Sequence, residues 1–159
     1  RSYSKYVAPG LRIAAVTCRR QLMNSLLSVK ALVDNGSPLL NQKLFLQYFQ
    51  SPRMQQHLKK LCIALQIRKE TMETSLRDSG WAWTSPAGGL NLWLQLPSTI
   101  KPNELLAKSI QKSVSFVPGN VFDPIGAEGK THIRLSYSYA NELQIKEGIS
   151  TLLRISRTM

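Results

Sequence analysis

Residues Ser2 to Val16, SYSKYVAPGLRIAAV, decide the fold. Lys5 follows Ser2 and Ser4, and Arg12 stands just beyond the pair Pro9-Gly10. Pro-Gly punctuates the backbone strongly, so a new element begins after it. Leu11 to Cys18, LRIAAVTC, is an apolar run rich in branched residues, which predicts a strand buried on both faces and hence a covered sheet.

Outward from there, Leu22, Met23, Leu26, Leu27, Val29 and Val33 recur at helical spacing, and Asn35-Gly36 offers a stop. A second helix is expected from Ser37-Pro38, Ser as cap and Pro in the first turn, to about Gln50. From Pro52 to Ser79 the positions Met54, Leu58, Leu61, Leu65, Met72 and Leu76 predict one long amphipathic helix closed by Gly80. In LNLWLQL, Leu90, Leu92, Leu94 and Leu96 alternate with Asn91, Trp93 and Gln95, the period of a half-buried strand. Trp93 is read as a core residue. Pro102 to Lys112 reads as a short helix with Leu105, Leu106 and Ile110 inward, SVSFV and HIRLSYS as strands, and Asn141 to Arg157 as a closing helix on Ile145, Ile149, Leu152 and Leu153. Alternation in HIRLSYS puts His132, Arg134, Ser136 and Ser138 on one face and Ile133, Leu135 and Tyr137 on the other. The order predicts an α/β or α+β layout with an internal boundary between about Pro38 and Pro52.

Composition narrows the function classes. With 43% apolar and 19% charged residues, the chain has the makeup of a globular domain. No apolar run approaches the roughly 20 residues of a membrane span. Cys18 and Cys62, far apart in apolar-patterned segments, suit reduced and buried thiols of a cytoplasmic protein, and the isolated His57 and His132 suggest no metal site. The net charge of +12 favours phosphates, nucleic acid or an acidic surface, yet the basic residues are spread along the chain and form no compact patch with interleaved aromatics. The first residue is Arg1, and the opening lacks a secretory layout, so a preceding N-terminal part is expected.

The segment Ser2 to Arg12 resembles the lysine signature S-x-S-K-x-x-x-P-G-L-R of class I and II aminotransferase-fold proteins, and every fixed position matches. The resemblance implies pyridoxal 5'-phosphate as cofactor. It makes Lys5 the imine-forming lysine, Arg12 a ligand of the cofactor phosphate, and Ser2, with Ser4, hydroxyl partners of that phosphate. The chemistry agrees: a lysine amine must be neutral to attack an aldehyde, and a neighbouring cation together with partial burial lowers its pKa, while a guanidinium fork suits a phosphate. PAGGLNLWLQLP and SVSFVPGNVF are similar to two further stretches of the family, P-x-G-G-x-x-L-W-x-x-L-P and V-x-x-x-P-G-x-x-F, so the likeness spans the chain. In these stretches Gly88, Gly89 and Gly119 are read as turn residues permitting close backbone approach, and Phe122 as a core or turn residue, with a wall of the site as the alternative. In the same family an R-L-S strand end supplies the arginine for the substrate α-carboxylate, which assigns Arg134 that role. The family's aspartate for the pyridine nitrogen, its stacking ring and its glycine-led phosphate turn all precede the lysine, so this chain by itself is not expected to complete the site.

The resemblance is greatest to the effector domain of MocR/GntR-type regulators, in which a DNA-binding winged helix-turn-helix lies upstream. That reading makes the protein a homodimeric regulator sensing an amino acid or other amino compound by imine exchange, with DNA bound only through the upstream part and turnover slow or absent. The alternative is an aminotransferase moving an amino group between an amino acid and a 2-oxo acid, with Lys5 as general base. A third class, a basic binding module with an incidental Lys5, is separated from both by the absorbance of a bound cofactor.

Overall fold

A computed structural model describes residues 1–123, 126 and 128–159. Backbone contacts divide the chain into two compact units, Arg1–Cys62 and Ile63–Met159. The division falls inside one helix.

In the first unit the segment after Pro9-Gly10 is not a strand. A 3-10 turn covers Pro9–Leu11, and beyond it only Ala14 pairs, in an antiparallel bridge with Ser2. A strand covered on both faces needs neighbours to bond its amides, and residues 1–62 offer only their own first residues. Tyr3 N donates to the Ile13 carbonyl (3.1 Å) and Ala15 N to that of Arg1 (2.8 Å). Helix α1, Arg20–Asp34, ends where Asn35 turns left-handed (φ 52°), as the Asn-Gly stop predicts. None of its residues is buried, and Cys18 just before it is exposed as well, against the expectation of a buried thiol. Helix α2, Leu39–Gln50, begins one residue after Pro38, which takes the cap position; the Ser37 side chain makes no cap bond, while its carbonyl accepts from Gln42 Nε2.

Helix α3, Pro52–Leu76, is the long helix of the sequence reading, with Met54, Met72 and Leu76 buried. Cys62, on its outer side, is exposed. The second unit is a four-stranded antiparallel sheet in the order β1-β2-β4-β3, with β1 Ala82–Trp83, β2 Asn91–Gln95, β3 Val117–Pro118 and β4 His132–Ser136. Alternation works as anticipated. Leu92, Leu94, Ile133, Leu135 and Tyr137 enter one core with Met72, Leu76, Leu105, Ile145, Ile149 and Leu152, each fully buried aliphatic side chain contributing about 1.5–3 kcal/mol. Helix α4, Pro102–Ile110, buries Leu105 and Ser109, and Ile110 lies exposed where an inward position was expected. Ser109 can be buried because its hydroxyl donates to the Leu106 carbonyl (3.1 Å). Helix α5, Glu142–Ser156, opens on a capping box in which Asn141 and Gln144 each accept the other's backbone N–H.

Gly119 has no room for a side chain, since an added Cβ would sit 2.6 Å from the Gly129 carbonyl oxygen. The sequence also marked Gly88 and Gly89 as turn residues. Gly89 uses a left-handed φ of 103°, and open space surrounds both Gly88 and Gly89, against the close backbone approach expected of them.

Candidate functional site

Lys5 sits in an exposed turn closed by Val7 N donating to the Tyr3 carbonyl (3.0 Å). That turn is held on both flanks. Tyr3 packs on Phe45 (4.4 Å between ring centres) and Phe49 (5.9 Å), while the Tyr6 carbonyl lies 2.8 Å from His57 Nε2. Asn41 Nδ2 donates to the Leu11 carbonyl (3.2 Å) on the far side of the loop. Residues 4 to 12 therefore form a loop clasped at its base by the Tyr3–Ile13 bond, and Lys5 and Arg12 stand near its two ends. Ser2 is exposed and Ser4 half-buried; Ser2 Oγ accepts from Ser4 N (3.3 Å), which leaves the Ser2 hydroxyl proton free to donate.

Arg12 adopts φ 55°, ψ 43°, a left-handed conformation that costs a non-glycine residue about 1–2 kcal/mol. Such strain gathers at functional positions. The Arg12 side chain is exposed, with Nη1 donating to the Pro9 carbonyl (3.3 Å). Asp34 is the first acidic residue of the chain, and residues 1–62 hold ten Lys and Arg against it alone, which is +9 of the net +12. An exposed primary amine, a guanidinium, serine hydroxyls and no nearby carboxylate in sequence make a donor set suited to a phosphorylated carbonyl compound, since a phosphate monoester carries about −1.5 to −2 charge at pH 7.

The second group of residues lies within the sheet of Ile63–Met159. Arg134 occupies the middle of β4, directly opposite Trp93 on β2 and Val117 on β3. Its guanidinium carbon stands 4.5 Å from the centre of the Phe122 ring. Phe122 meets Trp93 edge to face (5.8 Å, 76°), and Trp93 stacks on His132 (5.3 Å, 10°). Among the described residues no carboxylate pairs with Arg134. Trp93, read from sequence as core, is 43% exposed on this outer face, because alternation that buries Leu92 and Leu94 must turn the residue between them outward. Ser136 Oγ lies 2.9 Å from Ser138 Oγ, both on the Arg134 side as the alternation predicts.

The supports of both groups escaped the sequence reading. Tyr3, Asn41, Phe45 and His57 act across distances that no local pattern encodes, and the left-handed Arg12 had as its only local signal the Pro-Gly turn before it. Among the described residues, no set of His, Cys, Asp and Glu is grouped to hold a metal ion, and no helix is long and apolar enough to cross a membrane.

Comparison with known proteins gives this geometry its context. The chain matches the family Aminotransferase class I and II over residues 1–152. It is 31% identical to an uncharacterised HTH-type transcriptional regulator of Bacillus subtilis, YdfD, over 95% of the chain and 31% of that protein. It is 30% identical to aromatic-amino-acid aminotransferase 1 of Thermococcus litoralis, over 95% of the chain and 37% of that protein. Among solved structures, the α-aminoadipate aminotransferase LysN of Thermus thermophilus, complexed with N-(5'-phosphopyridoxyl)-L-leucine, superimposes with a TM-score of 0.90 at 28% identity, over 99% of the chain and 41% of that protein. The chain thus spans about a third of the curated relatives' length, and within that span both sequence and backbone agree: it belongs to the class I and II aminotransferase family, whose cofactor is pyridoxal phosphate.

Proposed function

We propose that this chain is the C-terminal part of an amino-compound-sensing effector domain of a MocR/GntR-type regulator, with Lys5 as the covalent tether of pyridoxal phosphate and Arg134 as the receiver of the ligand's carboxylate. The observation that carries the reading is the charge of the lysine loop: an exposed amine and a strained, exposed arginine in a segment without a single acidic residue before Asp34. The cofactor, when bound, supplies an electrophilic carbonyl carbon and an electron sink. Arg12 donates to its phosphate through the planar fork, and the hydroxyls of Ser2 and Ser4 add neutral donors. Lys5 would hold the cofactor, and its amine, when not so engaged, would take up or return a proton. Arg134 offers a carboxylate paired N–H donors, which fixes the orientation of the bound amino acid.

Residues 1–45 are assigned to the cofactor-binding part and residues 46–159 to the smaller domain, in a homodimer of the complete protein. Likeness to YdfD, and to the regulator NorG of Staphylococcus aureus at 26% identity, supports the regulator reading. Likeness to the T. litoralis enzyme supports a second one, amino transfer to a 2-oxo acid with Lys5 as the general base.

Borohydride reduction of the complete, cofactor-loaded protein followed by peptide mapping is expected to label Lys5, and a label on any other lysine sinks the assignment. Incubation with an amino acid and a 2-oxo acid separates the two readings. A regulator shows a ligand-dependent change in DNA affinity without sustained transfer, whereas steady turnover establishes the enzyme.

A further inference from the structure

The Arg134 guanidinium carbon stands 4.5 Å from the centre of the Phe122 ring, and among the described residues no carboxylate pairs with it. A guanidinium that lies flat on a ring keeps its in-plane N–H donors available to a carboxylate. Arginine carries considerable rotamer freedom, and a clamp that must be ordered on each binding event loses affinity for that reason. Backbone contacts hold the segment that carries Phe122. Phe122 N donates to the Gly119 carbonyl (2.9 Å), and Gly119 lies so close to the Gly129 and His132 backbones that a Cβ would clash with both. Asp123 Oδ2 accepts from Gly129 N (2.9 Å), tying the next residue to the same approach to β4. Trp93, directly across from Arg134 on β2, meets the Phe122 ring edge to face.

We propose that Phe122, backed by Trp93, is a positioning residue that holds the Arg134 fork in its carboxylate-receiving orientation before the ligand arrives. This rests on the reading of Arg134 as the carboxylate site and adds to it the source of that arginine's order. The preference for ligands with an α-carboxylate over simple amines is then set partly by an aromatic ring that acts through Arg134.

The test uses the complete cofactor-loaded protein, titrated with L-leucine and L-phenylalanine and with the amines that lack their carboxylate, 3-methylbutylamine and 2-phenylethylamine, following the cofactor's absorbance and the heat of binding. Phe122→Leu is expected to weaken both amino acids roughly three- to tenfold, the size of a lost cation–ring contact, and to change either amine by less than about twofold. Phe122→Tyr, which keeps the ring face, restores the parent affinities, and the thermal midpoints of the leucine and methionine variants fall only slightly because the side chain is 46% exposed. Phe122→Met, which fills similar space without a ring, behaves as Phe122→Leu and serves if the leucine variant folds poorly. Equal weakening of amino acids and amines, an unchanged amino-acid affinity, or failure of the tyrosine variant to rescue overturns the proposal. Arg134→Lys tells the two layers apart. If it leaves amino-acid affinity unchanged, the carboxylate site itself is wrong and this inference falls with it; if it weakens amino acids while Phe122→Leu does not, only the positioning role falls.

Discussion

Tyr137 is the last inward residue of the segment that carries Arg134, and its ring is 1% exposed. Burial disfavours the phenolate, and the negative charge of Glu73 nearby disfavours it further, so the Tyr137 pKa lies above its ordinary value of 10.0. Because the folded-state pKa is raised, the unfolded chain loses this proton first. Stability from Tyr137 is therefore complete below about pH 10 and falls as pH climbs from there toward the folded-state value. Urea midpoints measured between about pH 9 and 11 should decline in the parent and decline less in Tyr137→Phe; parallel curves would refute the assignment. At this scale the sequence was informative where chemistry is local. The outward face of Arg134 followed from strand period alone. Arg12's left-handed backbone and the ring beneath Arg134 depend on residues brought together by folding.

Helices α1 and α5 show which elements local pattern fixes and what it leaves open. Both have apolar positions at helical spacing, and both end close to their expected bounds, α1 at Asn35-Gly36 and α5 within a residue of the expected Asn141 to Arg157. Only α5 buries its stripe. Periodicity reports a face, not the presence of something to cover it, and for the same reason an apolar run at 11–18 looked like a strand without the neighbours that a strand needs. The capping box at Asn141 gives α5 a start that packing alone would not define. Asn141→Ala should cost about 1 kcal/mol of unfolding free energy, read as a lower urea midpoint at unchanged slope. Asn141→Asp, which keeps the acceptor and adds a favourable charge at a helix N-terminus, should lose little or nothing. Equal losses in both variants would mean that the cap bond is not what matters.

Across the whole chain, burial is divided as unevenly as charge. The buried apolar residues between Arg1 and Cys62 are Phe45 and Met54, whereas those from Ile63 onward form a continuous cluster under the sheet. In α1, Leu32 is 86% exposed and Val33 79%, and the helix has neither a side-chain cap nor an acidic first turn to support it. An isolated helix of that length is marginal in water. The net +9 of the first unit adds repulsion that its single ion pair, Lys30 with Asp34 at 2.6 Å, relieves only locally. Stability of the 159-residue chain should therefore be split, with opening of α1 far less costly than opening of β2, β4 and α5. Hydrogen exchange on this chain is expected to show α1 amides exchanging orders of magnitude faster than those of Leu92, Leu94, Ile133 and Leu135, whose side chains are at most 4% exposed. Protection of α1 equal to that of β4 would show that the helix gains its order from something other than burial, and would undo the link drawn here between exposed apolar surface and local stability.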